Sequence, residues 1–222
     1  MRDYKTEVRD LAMSFAATNG VAGDYLEFGV FRGEGIIEAV NAHDATVSRF
    51  EVFESQFKLR PKLLARIDHF DEMRFFGFDS FQGLSAPTKE DQDWLKAGDL
   101  SFSHGDAKWN LMESCVGHRV KLVPGFFSDT LKPELRGELQ LDKAAIIYID
   151  CDLYEPSKQA LEWSTPLMQD NTVVVLDDYF LFGGHPKRGQ RRAWEEWLAP
   201  KSDWMATELY RGGLVAFVLH KI

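Results

Sequence analysis

Short apolar segments alternate with segments of helical periodicity along most of this chain, and that alternation restricts the folds open to it. Five of these segments are rich in β-branched or aromatic residues and are apolar on both faces: 25–30, 73–79, 119–123, 144–150 and 172–178. Strands of this kind are buried inside a sheet, as in parallel sheets whose strands are joined by covering helices. The pattern therefore predicts an α/β fold with a doubly wound, mostly parallel sheet.

Helices are predicted at the amino terminus and between the strands. The spacing of apolar residues is helical over 3–18, 36–43, 89–98, 106–116, 156–168 and 191–198, and less clearly around 57–68. Two more strands, around 204–210 and 213–220, are separated by Gly212 and Gly213. A tight turn between them should place an antiparallel strand at one edge of the sheet.

The length and composition favour one soluble domain. We expect a single domain over 1–222, with an N-terminal helix in 1–20 and a variable insertion in 46–72, where the pattern is least clear. The net charge of −9 argues against nucleic-acid binding, which needs a basic surface. No apolar run suits a membrane span, nothing marks export, and two cysteines give no disulfide framework, so a cytoplasmic location is expected.

Polar residues that follow the strands are the candidates for a site, because ligands of open α/β sheets bind beyond the carboxyl ends of the strands. The first strand continues into LEFGVFRGEG (26–35). Its glycines permit a sharp turn and close approach of a ligand to a helix N-terminus. The spacing is not GxGxxG, which counts against an NAD or nucleotide-sugar enzyme. The alternative is an ordinary strand–helix turn.

The second strand ends in FDSFQGL (78–84), where Asp79 is the candidate. An acidic residue at this place in a nucleotide-binding sheet commonly accepts hydrogen bonds from ribose hydroxyls. Alternatively, Asp79 or Ser80 caps the turn that follows.

Acidic residues follow both the fourth and the fifth strands, in YIDCDLYE and VVVLDDYF. Residues i and i+2 of a strand face the same side, so Asp150 and Asp152 should converge if the strand extends that far. The two strands and the helix between them form a βαβ unit, whose strands are usually neighbours about 4.8 Å apart. We therefore expect Asp150, Asp177 and Asp178 to meet, and their repulsion then requires a proton or a cation.

Oxygen ligands without Cys or His pairs favour a hard cation, Mg²⁺ or else Mn²⁺ or Ca²⁺, over zinc. The alternative is that these aspartates only cap turns and helices. Among the histidines, His185 is the one placed to reach this site. The basic residues near it are interpreted as a solvated helix start, with binding of an acidic substrate group as the alternative: Lys187, Arg188, Arg191 and Arg192.

Six motifs occur in order between about residues 23 and 198: LEFGVFRGEG, FGFDSFQGL, LVPGFFSDTL, YIDCDLYEPSKQAL, VVVLDDY and GQRRAWEEW. Together they resemble the metal-dependent macrocin-type O-methyltransferase family, which methylates sugar hydroxyls of macrolide and aminocoumarin antibiotics. The resemblance implies a class I methyltransferase fold, with a Rossmann-like, seven-stranded sheet that includes an antiparallel C-terminal strand. It also implies S-adenosylmethionine and Mg²⁺ as cofactors, and a small hydroxylated acceptor in natural product biosynthesis.

The resemblance also implies a cofactor site. Glu27 and Gly29 would lie beside the methionine part of the cofactor, Asp79 and Ser80 would hold its ribose, and PGFFSDT (124–130) would line its adenine side. The full set of expected cofactor-binding residues is Glu27, Gly29, Val30, Phe31, Gly33, Asp79, Ser80, Phe81, Gly83, Phe127 and Asp129.

The implied ligands of Mg²⁺ are Asp150, Asp177 and Asp178, and the implied general base is Asp152. The chain departs from the family in two places. The segment before the first strand is short, so a lid over the substrate should be reduced, and residues 46–72 match no part of the family pattern. Both regions shape acceptor specificity, so the antibiotic-sugar substrate does not carry over. The competing hypothesis is a non-catalytic cofactor-binding or assembly module. The sequence leaves undecided the acceptor, the cation and the oligomeric state, for which a homodimer is one option.

Overall fold

The computed structural model describes residues 4–57, 69–91 and 94–222, and these residues form one seven-stranded sheet covered by helices on both faces. The strands are β1 (Asp24–Phe28), β2 (Phe75–Asp79), β3 (Val120–Pro124), β4 (Ala144–Ile149), β5 (Val173–Leu176), β6 (Trp204–Arg211) and β7 (Val215–Lys221). Their order is β3-β2-β1-β4-β5-β7-β6. β1 to β5 are parallel, whereas β7 is antiparallel to both β5 and β6. The predicted fold class is confirmed.

Helices connect the strands as the periodicity predicted, with two additions. The helices are α1 (Tyr4–Asn19), α2 (Glu34–Phe57), α3 (His104–Ser114), α4 (Phe127–Thr130), α5 (Pro133–Glu138), α6 (Tyr154–Ser164) and α7 (Gly189–Leu198), with 3₁₀ segments at Thr165–Leu167 and Leu181–Gly184. The additions are α4 and α5, which have 4 and 6 residues. Helices this short do not complete enough turns to produce a visible apolar period.

Two predicted segments differ in the structure. Residues 89–91 and 94–98 form turns and loop rather than the helix predicted over 89–98. Tertiary contacts hold this segment: Asp91 Oδ1 accepts a hydrogen bond from Tyr154 N, and Glu90 O accepts one from Gly189 N. Residues 46–57 of the expected insertion continue α2, while residues 58–68, where a further helix was predicted, lie outside the described residues.

The core has two layers, one on each face of the sheet. Every residue of β1, β4 and β5 is buried, as expected of strands that are apolar on both faces. Helices α1 to α3 pack on one face around Tyr25 and Phe75, and α6 and α7 pack on the other around Phe28 and Trp194. Within the described ranges, no helix combines the length and the apolarity that crossing a bilayer requires.

The strand order reverses between β1 and β4, and this switch point opens a crevice at the carboxyl ends of the strands. The backbone ladder continues one residue beyond each strand. Gly29 N donates to Phe78 O at 2.9 Å, Asp150 N to Phe28 O at 2.8 Å, and Asp177 N to Ile149 O at 3.0 Å. Three residues predicted to belong to the site therefore lie next to one another along this edge.

Candidate active site

A cavity of about 850 Å³ opens at the switch point. Its size lies within the range of pockets that enclose small molecules and cofactors, roughly 300–1,000 Å³. Twelve of the predicted site residues line it: Glu27, Gly29, Val30, Phe31, Asp79, Ser80, Gly83, Phe127, Asp150, Asp152, Asp177 and Asp178. Gly33, Phe81 and Asp129 are not part of its lining, and Asp129 is exposed. The structure thus gathers most, but not all, of the predicted residues around one space.

Asp79 fixes the shape of the cavity wall after β1 and β2. Its Oδ2 accepts hydrogen bonds from Val30 N and Phe31 N at 2.7 and 2.9 Å, and its Oδ1 accepts one from Phe81 N at 2.7 Å. The capping role considered for Asp79 is therefore present in the fold. A carboxylate offers about four acceptor sites, so these three bonds leave it able to accept another from a ligand.

Asp150, Asp177 and Asp178 converge in the lining of the cavity, and each offers an oxygen within 4.8 Å of the others. The expectation that Asp150 and Asp152 share one face of a strand is wrong, because β4 ends at Ile149. Asp152 has a φ of +59° and its N–H donates to Asp178 Oδ2 at 2.8 Å. It lines the cavity but does not belong to the set of mutually close carboxylates.

Hydrogen bonds from neighbouring residues hold the side chain of Asp177 and the backbone of Asp178 in place. The hydroxyl of Tyr148 donates to Asp177 Oδ1 at 2.6 Å. The side chain of Gln190, which is fully buried, accepts from Asp178 N at 2.8 Å and donates to Ile149 O at 3.0 Å. Partners of this kind fix the direction of metal-binding side chains.

Burial and the mutual repulsion of the carboxylates raise the pKa values of Asp150 and Asp178. Burial, and then the charge of Asp177, raise the pKa of Asp150 to about 7. Burial, and then the charges of Asp152 and Asp150, raise the pKa of Asp178 well above its usual range. Carboxylates this close cannot all ionise without a compensating cation. An all-oxygen donor set fits a hard divalent cation, so these residues fit the magnesium site that the resemblance implies.

Lys5 of α1 reaches the same carboxylates and was missed by the sequence interpretation. Its Nζ lies 3.1 Å from Asp150 Oδ2 and 2.7 Å from Asp177 Oδ2. Although burial opposes it, these two charges raise the pKa of Lys5 above its usual value. The signal in the sequence is the pair Lys5 and Arg9, two cations one helical turn apart in a helix whose other inward residues are apolar.

Arg9 was also missed, and it lies below the cavity with only 3% of its surface exposed. Its guanidinium stacks over the ring of Tyr148 at 4.1 Å and contacts Glu38 at 2.8 Å and Glu27 at 3.7 Å. Glu27 also accepts a hydrogen bond from the hydroxyl of Tyr25. Burial raises the pKa of Glu27, while the charge of Arg9 opposes that shift. Glu27 is thus held by protein groups at the floor of the cavity.

Basic residues in the first turn of α7 form ion pairs within that helix. Arg191 Nε lies 2.8 Å from Glu195, and Arg192 Nε lies 2.7 Å from Glu196, each pair spanning one helical turn. His185 is exposed and does not line the cavity. These contacts agree with the interpretation of the basic cluster as a solvated helix start. The expectation that His185 reaches the site is wrong.

Two solved structures of methyltransferases superpose on this chain. The structure of the O-methyltransferase NovP superposes with a TM-score of 0.67, with 22% identity, over 97% of this chain and 79% of that chain. The structure of CalS11, a calicheamicin methyltransferase, gives a TM-score of 0.69 with 22% identity, over 97% and 78% of the two chains. At this identity the likeness establishes the class I methyltransferase fold.

Curated relatives and a family model match the sequence. An "8-demethyl-8-(2,3-dimethoxy-alpha-L-rhamnosyl)-tetracenomycin-C 4'-O-methyltransferase" of Streptomyces olivaceus is 32% identical over 165 residues, 72% of this chain and 54% of the relative. A "Mycinamicin III 3''-O-methyltransferase" of Micromonospora griseorubida is 24% identical, over 74% of this chain and 58% of the relative. The chain therefore spans little more than half the length of these relatives. The model of Macrocin-O-methyltransferase (TylF) matches residues 59–201. The match covers more than half of the chain, which therefore belongs to the macrocin O-methyltransferase (TylF) family.

Proposed function

We propose that this chain is an S-adenosylmethionine-dependent O-methyltransferase that methylates a hydroxyl of a sugar or another small polyhydroxylated metabolite, and that it requires a hard divalent cation, Mg²⁺. The observation that carries the proposal is the convergence of Asp150, Asp177 and Asp178 in the lining of a cofactor-sized cavity. The activities named for two relatives, O-methyltransferases that act at positions 4' and 3'' by their names, support a hydroxylated acceptor.

Two regions of the cavity divide the proposed binding roles. The turns after β1 and β2 would hold the cofactor, with Gly29 against its methionine part and Asp79 and Ser80 at its ribose. The ring of Phe127, which packs edge-on against Phe28 at 5.7 Å, would face the adenine. The turns after β4 and β5 would hold the cation and the acceptor, because the oxygen-rich cluster lies there.

Asp152 is our candidate general base. When bound, S-adenosylmethionine supplies an activated methyl group, and a divalent cation supplies positive charge that lowers the pKa of a neighbouring hydroxyl. Asp152 lines the cavity beside the cluster without joining it, so its carboxylate is available to accept the hydroxyl proton. Burial, and then the charge of Asp177, raise the pKa of Asp152, which makes its carboxylate a stronger base than an ordinary aspartate.

Asp150→Asn is expected to weaken Mg²⁺ binding by about tenfold or more while leaving the affinity for S-adenosylhomocysteine unchanged, because the variant loses a charge at the cluster only. Calorimetric titration of Mg²⁺ and of S-adenosylhomocysteine measures both affinities. Asp142→Asn is a matched control, since Asp142 is an exposed residue before the opposite end of β4. Retained Mg²⁺ affinity in Asp150→Asn contradicts the ligand assignment. A wild-type chain that does not bind S-adenosylhomocysteine contradicts the proposed activity.

Mg²⁺ affinity is expected to rise as the pH increases through about 7. The raised pKa values of Asp150 and Asp178 mean that the cation-free cluster holds protons below this pH, and cation binding must displace them. Titration in two buffers with different ionisation enthalpies measures proton release directly. We expect more proton release at about pH 6 than at about pH 8. Equal and negligible release at both pH values would show that the cluster is already ionised.

One observation favours a second candidate, a non-catalytic cofactor-binding or assembly module. The ammonium of Lys5 already neutralises part of the charge of Asp150 and Asp177, and in a metal-free module it would replace the cation. Lys5→Met separates the two candidates in a Mg²⁺ titration. If the chain is a Mg²⁺-dependent enzyme, removal of a competing cation is expected to strengthen Mg²⁺ binding several-fold. If it is a metal-free module, neither the wild-type chain nor the variant binds Mg²⁺.

A further inference from the structure

A second group of potential metal ligands lies outside the cavity, between α2 and the turn before β3. His43 and Asp44 are consecutive residues of α2, and His118 precedes β3. One ligand atom of each lies within 4.8 Å of the others. His43 Nδ1 is 3.1 Å from Asp44 Oδ1, and His118 Nε2 is 3.1 Å from Asp44 Oδ2. None of the three lines the cavity.

The environment of His43 determines which of its nitrogens carries a proton. The imidazole is buried, with 2% of the side chain exposed, and stacks on the ring of Phe70 at 4.9 Å. Its Nε2 lies 3.0 Å from the carbonyl oxygen of Phe70, and a carbonyl only accepts, so Nε2 must donate. In the neutral ring Nδ1 then has a lone pair directed at the carboxylate of Asp44, which is also an acceptor. A proton or a cation must lie between them.

The geometry favours a cation. A histidine whose one ring N–H donates to a backbone carbonyl, and whose other nitrogen faces a carboxylate and a second imidazole, has the arrangement typical of a metal ligand. Asp44 Oδ1 lies 3.1 Å from both His43 Nδ1 and His118 Nε2, and these separations are close to the edge of a tetrahedron, about 3.3 Å for ligands roughly 2.0 Å from Zn²⁺. Two imidazole nitrogens and one carboxylate suit zinc and related transition metals, in contrast to the all-oxygen cluster of the cavity.

We propose that His43, Asp44 and His118 form a second, separate cation site that takes Zn²⁺ or a similar divalent transition metal. The side chain of Asp44 is 53% exposed and that of His118 is 20% exposed, so the fourth position is open to water. Cys115 is not part of the ligand set, because its thiol does not belong to the group of mutually close ligand atoms.

The proposed site would have a structural role. It joins α2 to the turn before β3, and through the carbonyl of Phe70 it also joins the segment that leads into β2. Because these elements come from distant parts of the chain, the complete ligand set exists only in the folded protein. A cation that binds there is therefore expected to raise the melting temperature.

The test is a Zn²⁺ titration of the chelator-treated full chain that carries Asp150→Asn and Asp177→Asn, which remove the competing cluster of the cavity. We expect one Zn²⁺ per chain and a rise in melting temperature. Asp44→Asn and His118→Ala, each added to this background, should lower the affinity by about tenfold or more and abolish that rise. His185→Ala is the control, since His185 is exposed and distant in sequence from all three ligands, and it should change neither quantity.

X-ray absorption of the wild-type chain, loaded with one equivalent of Zn²⁺ in an excess of Mg²⁺ that fills the carboxylate cluster, gives an independent answer if the background variants fail to fold. A first shell with scattering from two imidazole rings supports the site. A shell of oxygen ligands only, or undiminished Zn²⁺ affinity in Asp44→Asn and His118→Ala, overturns it. In that case His43, Asp44 and His118 are held together by hydrogen bonds rather than by a cation. Failure of this proposal leaves the proposed methyltransferase activity untouched, because the two sites share no residue.

Discussion

Asp152→Asn is expected to lower kcat for methyl transfer by about 100- to 10,000-fold, the range typical of the loss of a general base. Asparagine has nearly the same size as aspartate but cannot accept the proton of the acceptor hydroxyl. Asparagine also tolerates the left-handed backbone at this position, where φ is +59°, so the substitution adds little strain. The hydrogen bond from the backbone N–H of residue 152 to Asp178 is independent of the side chain.

Binding measurements must accompany the rates in this experiment. Because Asp152 is not part of the close carboxylate set, affinities for Mg²⁺ and S-adenosylhomocysteine should be unchanged. Rates are measured with whichever acceptor the wild-type chain methylates in a panel of glycosides and vicinal diols. Asp142→Asn, at the other end of β4, should retain the wild-type rate. An undiminished rate in Asp152→Asn contradicts its role as base, and a loss of Mg²⁺ binding as large as that of Asp150→Asn makes it a ligand instead.

The carboxylate cluster was predictable from the sequence because it depends on a local rule. Strands β4 and β5 are joined by one helix, so they become parallel neighbours, and residues that follow them meet at one edge. The position of Asp152 was not predictable in the same way. The i, i+2 rule holds only within a strand, and the apolar run gives no signal that β4 ends at Ile149 rather than two residues later.

Contacts between distant segments account for most of what the sequence did not reveal. Lys5 and Asp150 are 145 positions apart, and no periodicity within α1 shows which sheet edge the helix will reach. The same limit applies to Asp44 and His118, which are 74 positions apart. The failed prediction for 89–98 has the same origin, because hydrogen bonds from Tyr154 N to Asp91 and from Gly189 N to Glu90 O outweighed a weak helical pattern.

Gly29→Ala is expected to reduce the free energy of unfolding by more than about 4 kcal/mol, a loss seen only for severe disruptions. Gly29 has a φ of +93°, and a Cβ at this position would overlap with the backbone carbonyl of Asp150. Neither backbone can move away easily, because Gly29 N is bonded to Phe78 O and Asp150 N to Phe28 O. Urea-induced unfolding measures the loss, and any folded fraction should bind Mg²⁺ weakly because Asp150 is displaced.

The expected loss for Gly29→Ala has two causes, the overlap of a Cβ with Asp150 and the strain of a positive φ, and Gly117→Ala separates them. Gly117 has nearly the same backbone conformation, with a φ of +91°, but a Cβ there would have no neighbour within 4 Å. Its substitution therefore adds only the strain of a left-handed residue, about 1–2 kcal/mol. If the unfolding midpoints of the two variants coincide, the close approach of β1 to β4 at Gly29 is looser than the structure shows. A much lower midpoint for Gly29→Ala would establish that this contact, rather than backbone conformation alone, requires glycine beside the site.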